Sequence, residues 1–198
     1  MVQTRGPRPA GPAPNAQTLH DAALAHLARY AATEAGLRRV LERRLDRWKR
    51  LAQQNGLDAE AIAAQAAAAR NAVREVLARL TAAGAVNDAT YAESRARSLV
   101  RAGRSRRAIS AYLIAKGVDP ATAATAIPAP EESELAAALV LARKRRIGPF
   151  RQGQTPDEAG RQRELGVLAR AGFSRSVAQQ ALAADPVQAE ALVNELRR

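Results

Sequence analysis

Apolar residues recur every three or four positions along most of the chain, which is the spacing of one face of an α-helix. No stretch alternates with the two-residue period of a β-strand. The pattern therefore predicts an all-α protein. The sets predicted to face a core include Leu24, Leu27 and Ala31 in the first helix, Leu37, Val40, Leu41 and Leu45 in the second, Val73, Val76, Leu77 and Leu80 in the third, and Ile109, Tyr112 and Leu113 further along.

Three predicted helices end with the same signal, a glycine, an apolar residue and a helix-capping residue. The segments are Gly56-Leu57-Asp58, Gly117-Val118-Asp119 and Gly172-Phe173-Ser174. Glycine readily ends a helix, and Asp or Ser at the N-cap begins the next one. Their separation leaves room for about three helices per unit. We therefore predict helical repeats at 19–85, 86–128 and 131–183, with a disordered arm at 1–18 and a tail helix at 184–198.

Composition bears on the compartment. The chain has no cysteine, so disulfides and thiolate chemistry are excluded. No apolar run approaches the roughly 20 residues that span a bilayer, and the first residues lack the hydrophobic segment of a signal peptide. These features predict a soluble cytoplasmic protein that does not bind membranes.

The charge balance predicts an anionic partner. Lys and Arg number 31 against 19 Asp and Glu, a formal net charge of +12, which favours nucleic acid or an acidic protein surface. Between positions 94 and 116 there is no acidic residue, and the cations there are Arg95, Arg97, Arg101, Arg104, Arg106, Arg107 and Lys116. Arg106 and Arg107 would lie in a first helical turn, where positive charge is unfavourable. We interpret the seven cations as polyanion contacts; the alternative is that they point into water.

Other cations have structural explanations, because they lie on the polar side of an amphipathic helix or near a helix C-terminus, where cations are favoured. They form a secondary set of candidate contacts: Arg38, Arg39, Arg43, Arg44, Arg143, Lys144, Arg145, Arg146 and Arg151. Trp48, the single tryptophan, is predicted to pack between helices, with base stacking as the alternative.

Signatures of catalysis are missing from the sequence. It contains no phosphate-binding loop, no nucleophile elbow and no cluster with metal-ligand spacing. The two histidines, His20 and His26, are six positions apart, whereas a shared metal on a helix requires a spacing of four and further ligands. We predict no catalytic residues, no metal and no cofactor.

Several segments together resemble one family. The run AGAVNDATYAESRARSLVRAGRSRRAISAYLIAKGVDPATAATAI, with the later ARKRRIGPFR and LARAGFSRSVAQQAL, resembles the RecX family, regulators of the RecA recombinase. The stretch YAATEAGLRRVLERRLDRW is similar to the first-repeat helices of that family, and the insertion at 49–69 departs from them.

The resemblance implies tandem three-helix repeats in an elongated, curved protein without an active site. It also implies binding in the groove of the RecA filament on DNA, with inhibition of RecA ATP hydrolysis, strand exchange and co-protease activity. The expected partners are the RecA filament and single- and double-stranded DNA, bound mainly through phosphates by a monomer.

The alternative is a transcriptional or architectural DNA-binding protein that uses the predicted helix pair at 105–127 as a helix-turn-helix. A recognition helix carries base-reading side chains near its N-terminus. The segment PATAATAI offers only threonines there, so we favour the regulator.

Overall fold

A computed structural model of the protein describes residues 9–128 and 131–196. These residues form ten α-helices and a short 3-10 turn, with no strand among them, which confirms the all-α prediction. The first helices are α1 Ala16–Leu27, α2 Glu34–Gln54, α3 Ala59–Ala82, α4 Asp88–Arg101 and α5 Arg106–Ala115. The others are α6 Pro120–Ala126, α7 Glu131–Arg145, α8 Glu158–Arg170, α9 Arg175–Ala183 and α10 Pro186–Glu195, with the 3-10 turn at Gly148–Phe150.

The predicted helix-ending signals are present in the structure. Gly117 and Gly172 both have a φ of 92°, a left-handed conformation that glycine adopts without strain. The side chains of Asp119 and Ser174 then accept hydrogen bonds from the backbone of the next helix. Local sequence therefore decides where these helices end and begin.

The described residues fall into two compact units, one ending at Asp88 and the other beginning at Ala89. In the first unit, α1, α2 and α3 share a core. The distal parts of α2 and α3, which include the 49–69 insertion, enclose a second apolar cluster of their own. That cluster consists of Leu45, Trp48, Ala52, Ile62, Ala66 and Ala69.

The structure differs from the predicted arm over residues 9–18. Helix α1 already begins at Ala16, with Asn15 as its N-cap. Ahead of it, Ala13 packs on the second cluster, and the Trp48 Nε1 group donates a hydrogen bond to the Gly11 carbonyl at 3.2 Å. Trp48 is only 4% exposed, so the predicted packing is confirmed and base stacking is wrong for this residue. The rest of the predicted arm lies outside the described residues.

The predicted buried face of the first helix is wrong in part, because Leu27 packs against the core as predicted but Leu24 and Ala31 are exposed. Leu19 and Ala23 are fully buried, whereas Leu24 is 45% exposed. Consecutive helical positions are separated by about 100°, so a face assigned one position away points largely to solvent. Because α1 ends at Leu27, Ala31 lies beyond the helix altogether.

The second unit has one continuous core, to which α4 through α10 all contribute. Helix α7 is central: residues 136–140 are buried on every side, and the helix contacts α8, α9 and α10. The second and third predicted repeats and the tail helix therefore share one core, and the predicted repeat boundaries stay a prediction. None of the described helices combines the length and apolar character needed to cross a membrane.

Candidate polyanion-binding site

The link between α4 and α5 is held firmly against α7 and α8. Ser105 is fully buried, and its Oγ accepts a hydrogen bond from the Ala108 N–H at 3.2 Å while donating one to the Ala171 carbonyl at 2.7 Å. Gly103 lies so close to α7 that a Cβ there would come within 2.9 Å of Val140 Cγ1. These contacts fix the position of Arg104, which lies between Gly103 and Ser105.

The start of α5 has an acidic partner that the sequence pattern did not indicate. The Arg106 backbone N–H lies 3.1 and 3.2 Å from the two carboxylate oxygens of Glu134 in α7. The Arg106 guanidinium donates to the Pro128 carbonyl. Burial raises the pKa of Glu134, and the hydrogen bond and charge of Arg106 only partly oppose this.

The start of α5 is therefore less unfavourable for positive charge than its local sequence indicates, because α7 brings Glu134 to it across 28 positions of sequence. The side chain of Arg106 is half-buried rather than exposed. Its role as a polyanion contact stays a prediction, but the structure already gives this arginine a structural role.

A concave pocket of about 560 Å³ opens beside the α4–α5 link. Its walls come from the C-terminal ends of α4, α7 and α8, and four of its residues are cations while none is acidic. We call it the basic pocket. Its lining residues are Ala102, Gly103, Arg104, Leu141, Lys144, Arg145, Val167, Arg170 and Ala171.

The cations of the basic pocket exceed what the helix ends require. A helix C-terminus carries about −0.5 charge, so three such ends contribute about −1.5, and four cations leave a surplus of about +2.5. Lys144 Nζ donates to the Ala102 carbonyl at 2.7 Å. Arg104, Arg145 and Arg170 form no ion pair with any carboxylate of the described residues. The pocket can therefore bind an anion such as a phosphate or a carboxylate.

A second group of cations surrounds Tyr112. Arg95 Nε donates to its hydroxyl at 3.1 Å, and the Arg95 guanidinium and Lys116 Nζ lie 5.1 and 5.4 Å from the ring centroid. Burial raises the pKa of Tyr112, but hydrogen bonds with Tyr91 and Arg95 and the charges of Arg95 and Lys116 outweigh it, so the pKa is lowered. Cation–π interactions with the Tyr112 ring therefore hold two of the predicted contact residues, Arg95 and Lys116, close to each other.

The remaining members of the predicted set are exposed. Arg97 lies 3.9 Å from Glu93, with both side chains 56% exposed, so this pair contributes little. Arg101 and Arg107 form no ion pair within the described part of the chain. The side-chain stem of Arg107 lies beside Gly172 at the end of α8.

Part of the secondary set already has a partner within the fold. The pairs are Arg38–Glu34 at 2.6 Å, Arg143–Glu190 at 2.8 Å and Arg151–Glu164 at 2.6 Å. Arg39 also has an interaction partner. Lys144 and Arg145 line the basic pocket, Arg43 and Arg44 lie on α2 in the first unit, and Arg146 is exposed with a φ of 55°.

Sequence reasoning missed Arg170. It lies in the last turn of α8, and the signal that could have found it is the one that described Arg145, a cation at a helix C-terminus. Nothing local to either arginine shows that their helices end at the same pocket.

The described residues give little support to a metal site or to a helix-turn-helix at 105–127. Within the part of the chain that the structure describes, no group of three or more His, Cys, Asp or Glu side chains could hold a metal. On α6, Thr122 Oγ1 donates to the carboxylate of its N-cap Asp119 at 3.3 Å, and Thr125 Oγ1 donates to the Ala121 carbonyl at 3.0 Å. The threonine hydroxyls of the suggested recognition helix are thus engaged within that helix.

Comparisons with known proteins are consistent with one family. Residues 87–127, which span α4 to α6, match the family model of the second three-helix domain of RecX. The regulatory protein RecX of Myxococcus xanthus is 41% identical over 170 residues, which cover 85% of this chain and 86% of that protein. RecX of Agrobacterium fabrum is 37% identical over 111 residues, covering 56% of this chain and 59% of that protein.

A solved structure agrees with the fold. The crystal structure of RecX from Lactobacillus salivarius aligns with a TM-score of 0.57 at 18% identity, covering 92% of this chain and 96% of that one. At this identity the likeness supports the fold alone. The extent of the match to the Myxococcus protein, with the match to the family model, shows that the chain belongs to the RecX family of regulatory proteins.

Proposed function

We propose that this protein binds the RecA filament on DNA and restrains its ATP hydrolysis, strand exchange and co-protease activity. The observation that supports this most is the basic pocket, because a regulator without chemistry of its own acts by occupying a surface. Phosphates of filament-bound DNA and acidic side chains of RecA are both anions that a surplus of about +2.5 charges attracts. Arg104, Arg145 and Arg170 provide the charge in this proposal, and Arg107 extends it along the start of α5.

The decisive measurement is RecA-dependent ATP hydrolysis on single-stranded DNA. We expect the wild-type protein to slow it and a combined Arg104→Glu, Arg145→Glu and Arg170→Glu variant to have lost most of this effect. The control variant changes Arg79, Arg163 and Arg175 to Glu, which makes the same change in charge at exposed positions that lie outside the pocket and outside both predicted sets of contacts. We expect the control to inhibit as the wild type does.

Titration with salt separates the two anions. If the pocket binds phosphates, naked-DNA affinity falls and the slope of log affinity against log salt drops by about 0.7 to 0.9 per lost contact. If RecA side chains are the partner, inhibition falls by more than DNA affinity does. Undiminished inhibition by the pocket variant would contradict the proposed role of the pocket.

A further inference from the structure

The first unit contains a second basic concavity, a groove of about 410 Å³ between the end of α1 and the middle of α2. It is lined by four arginines and by no acidic residue. We call it the Tyr30 groove. Its residues are Ala22, Ala25, His26, Arg29, Tyr30, Val40, Leu41, Arg43, Arg44 and Arg47.

Tyr30 is the unusual member of this groove. Its side chain is 61% exposed, and none of the described residues forms a hydrogen bond with its hydroxyl. Its ring centroid lies 5.3 Å from that of His26, with the two planes at 40°. Tyrosines in a fold normally bury most of the ring and find a partner for the hydroxyl. Folding therefore does not explain this ring, which remains available to a ligand.

The arginines of the groove are also free to act on a ligand. Arg43 and Arg47 are four positions apart on α2, so they lie about one turn apart on the same face, away from the buried Leu41 and Leu45. Glu42 and Asp46 are their neighbours in sequence, yet no ion pair joins them to Arg43, Arg44 or Arg47 among the described residues. No ion pair compensates the positive charge of this face within the described part of the chain.

We propose that the Tyr30 groove binds single-stranded nucleic acid, with one unpaired base stacked on Tyr30 and the flanking phosphates bound by Arg43, Arg44 and Arg47. Aromatic rings combined with a basic groove form the usual site for single strands, because every base offers a face for stacking. In a duplex both faces of each base are covered by neighbouring base pairs, so the ring has no equivalent target. The proposal adds to the expected binding of DNA through phosphates a base-stacking site in the first unit, and this site requires no RecA.

The first test is equilibrium binding of the full-length protein to a fluorescent thymidine oligonucleotide without RecA. Tyr30→Ala should weaken binding by about 5- to 150-fold, the range for loss of one stacked base, while Tyr30→Phe should keep the wild-type affinity. Leu24→Ala removes another exposed apolar side chain, which lies on α1 outside the groove, and should have no effect. Helix content measured by circular dichroism should be unchanged in all three variants, because both residues are exposed.

An oligonucleotide with abasic positions completes a double-mutant cycle. The wild type should bind it more weakly than thymidine by the same factor that Tyr30→Ala produces, and the Tyr30→Ala variant should show no further loss. Arg43→Ala and Arg47→Ala should each reduce the salt slope for single strands by about 0.7, while Arg79→Ala, on α3 outside the groove, should not change it.

Three results would overturn the proposal. Stacking would be excluded if the Tyr30→Ala variant bound the thymidine oligonucleotide as tightly as the wild type. It would also be excluded if the substitution weakened binding to a duplex of the same sequence by an equal factor. If Tyr30→Ala leaves oligonucleotide binding unchanged but weakens binding to DNA-free RecA, the groove binds a protein instead. Because RecA inhibition is measured separately with the pocket variant, failure here leaves the proposed function untouched.

Discussion

Replacement of Ser105 by alanine tests how the basic pocket is built. Ser105 caps α5 through the Ala108 N–H and also donates to the Ala171 carbonyl at the end of α8. The side chain is fully buried, so water cannot replace either bond. The substitution should therefore remove a cap and leave a buried carbonyl without a donor, which loosens one wall of the pocket.

The magnitude follows from the two bonds. Loss of a serine cap destabilises a protein by about 1 kcal/mol, and a buried acceptor left without a partner adds about 1–3 kcal/mol. We expect Ser105→Ala to lower the free energy of unfolding of the second unit by about 2–4 kcal/mol. For a domain of this size that corresponds to a fall in melting temperature of about 10 °C.

Ser174 provides a matched control, because it caps α9 by accepting a hydrogen bond from the Val177 N–H at 3.2 Å, the same length as the Ser105 cap. Unlike Ser105, it is exposed and makes no hydrogen bond to another helix. Ser174→Ala should cost about 1 kcal/mol. Urea unfolding followed by circular dichroism measures both, and a shift in midpoint at constant slope reports stability alone. Equal losses for the two variants would refute the argument that the bond to Ala171 holds α5 against α8.

Three further outcomes are expected. Gly172→Ala should lower the free energy of unfolding by about 3 kcal/mol or more, because φ is +92° and a Cβ there would lie 2.7 Å from the Ser105 hydroxyl. Gly84→Ala, with a φ of +70° and nothing within 4 Å of the added Cβ, should cost only about 1–2 kcal/mol. Equal melting temperatures for the two variants would contradict this. Because burial raises the pKa of Glu134 above its ordinary value of 4.5, the folded state holds that proton more tightly. The stabilisation is present below the unfolded pKa and is lost as pH rises through the folded pKa. Glu134→Gln should therefore flatten the fall in urea midpoint that the wild type shows as pH rises above 4.5; an unchanged pH profile would contradict this. Arg106→Ala should cost about 2 kcal/mol through its charge-assisted bond to the Pro128 carbonyl, and Arg107→Ala no more than about 0.5 kcal/mol. Arg107→Ala should reduce the salt slope of DNA binding by the larger amount, because Arg106 is half-buried and already bonded; equal changes in stability and in salt slope for the two variants would contradict this.

Several features were predictable from the sequence because they depend on neighbours within one helical turn. The all-α class follows from apolar spacing, and α6 begins where Asp119 can cap the N–H three residues ahead. The same logic located the end of α8 at Gly172. Such interactions are local, so a chain segment specifies them before it packs against anything else.

The helix faces and the functional surfaces were predicted less well. Ala23 and Leu24 are adjacent residues in an alanine-rich helix, α1. Only the packing of α1 against α2 and α3 decides that Ala23 is buried and Leu24 is exposed. Tyr30 follows α1 and lies outside the predicted apolar set of that helix, and its exposure depends on where the chain leaves the helix. Aromatic spacing alone therefore did not indicate the Tyr30 groove.

The sequence by itself determined the helices, their caps and an excess of positive charge. The tertiary structure decided which partners the charged residues have and which of them line the basic pocket. Glu134 meets Arg106 across 28 positions, and Ser105 meets Ala171 across 66. The basic pocket exists because three helices with separate signals end at one place around α7. Local propensities act over about one turn, whereas convergence of distant helix ends is set by the burial of the shared core, which no single segment encodes.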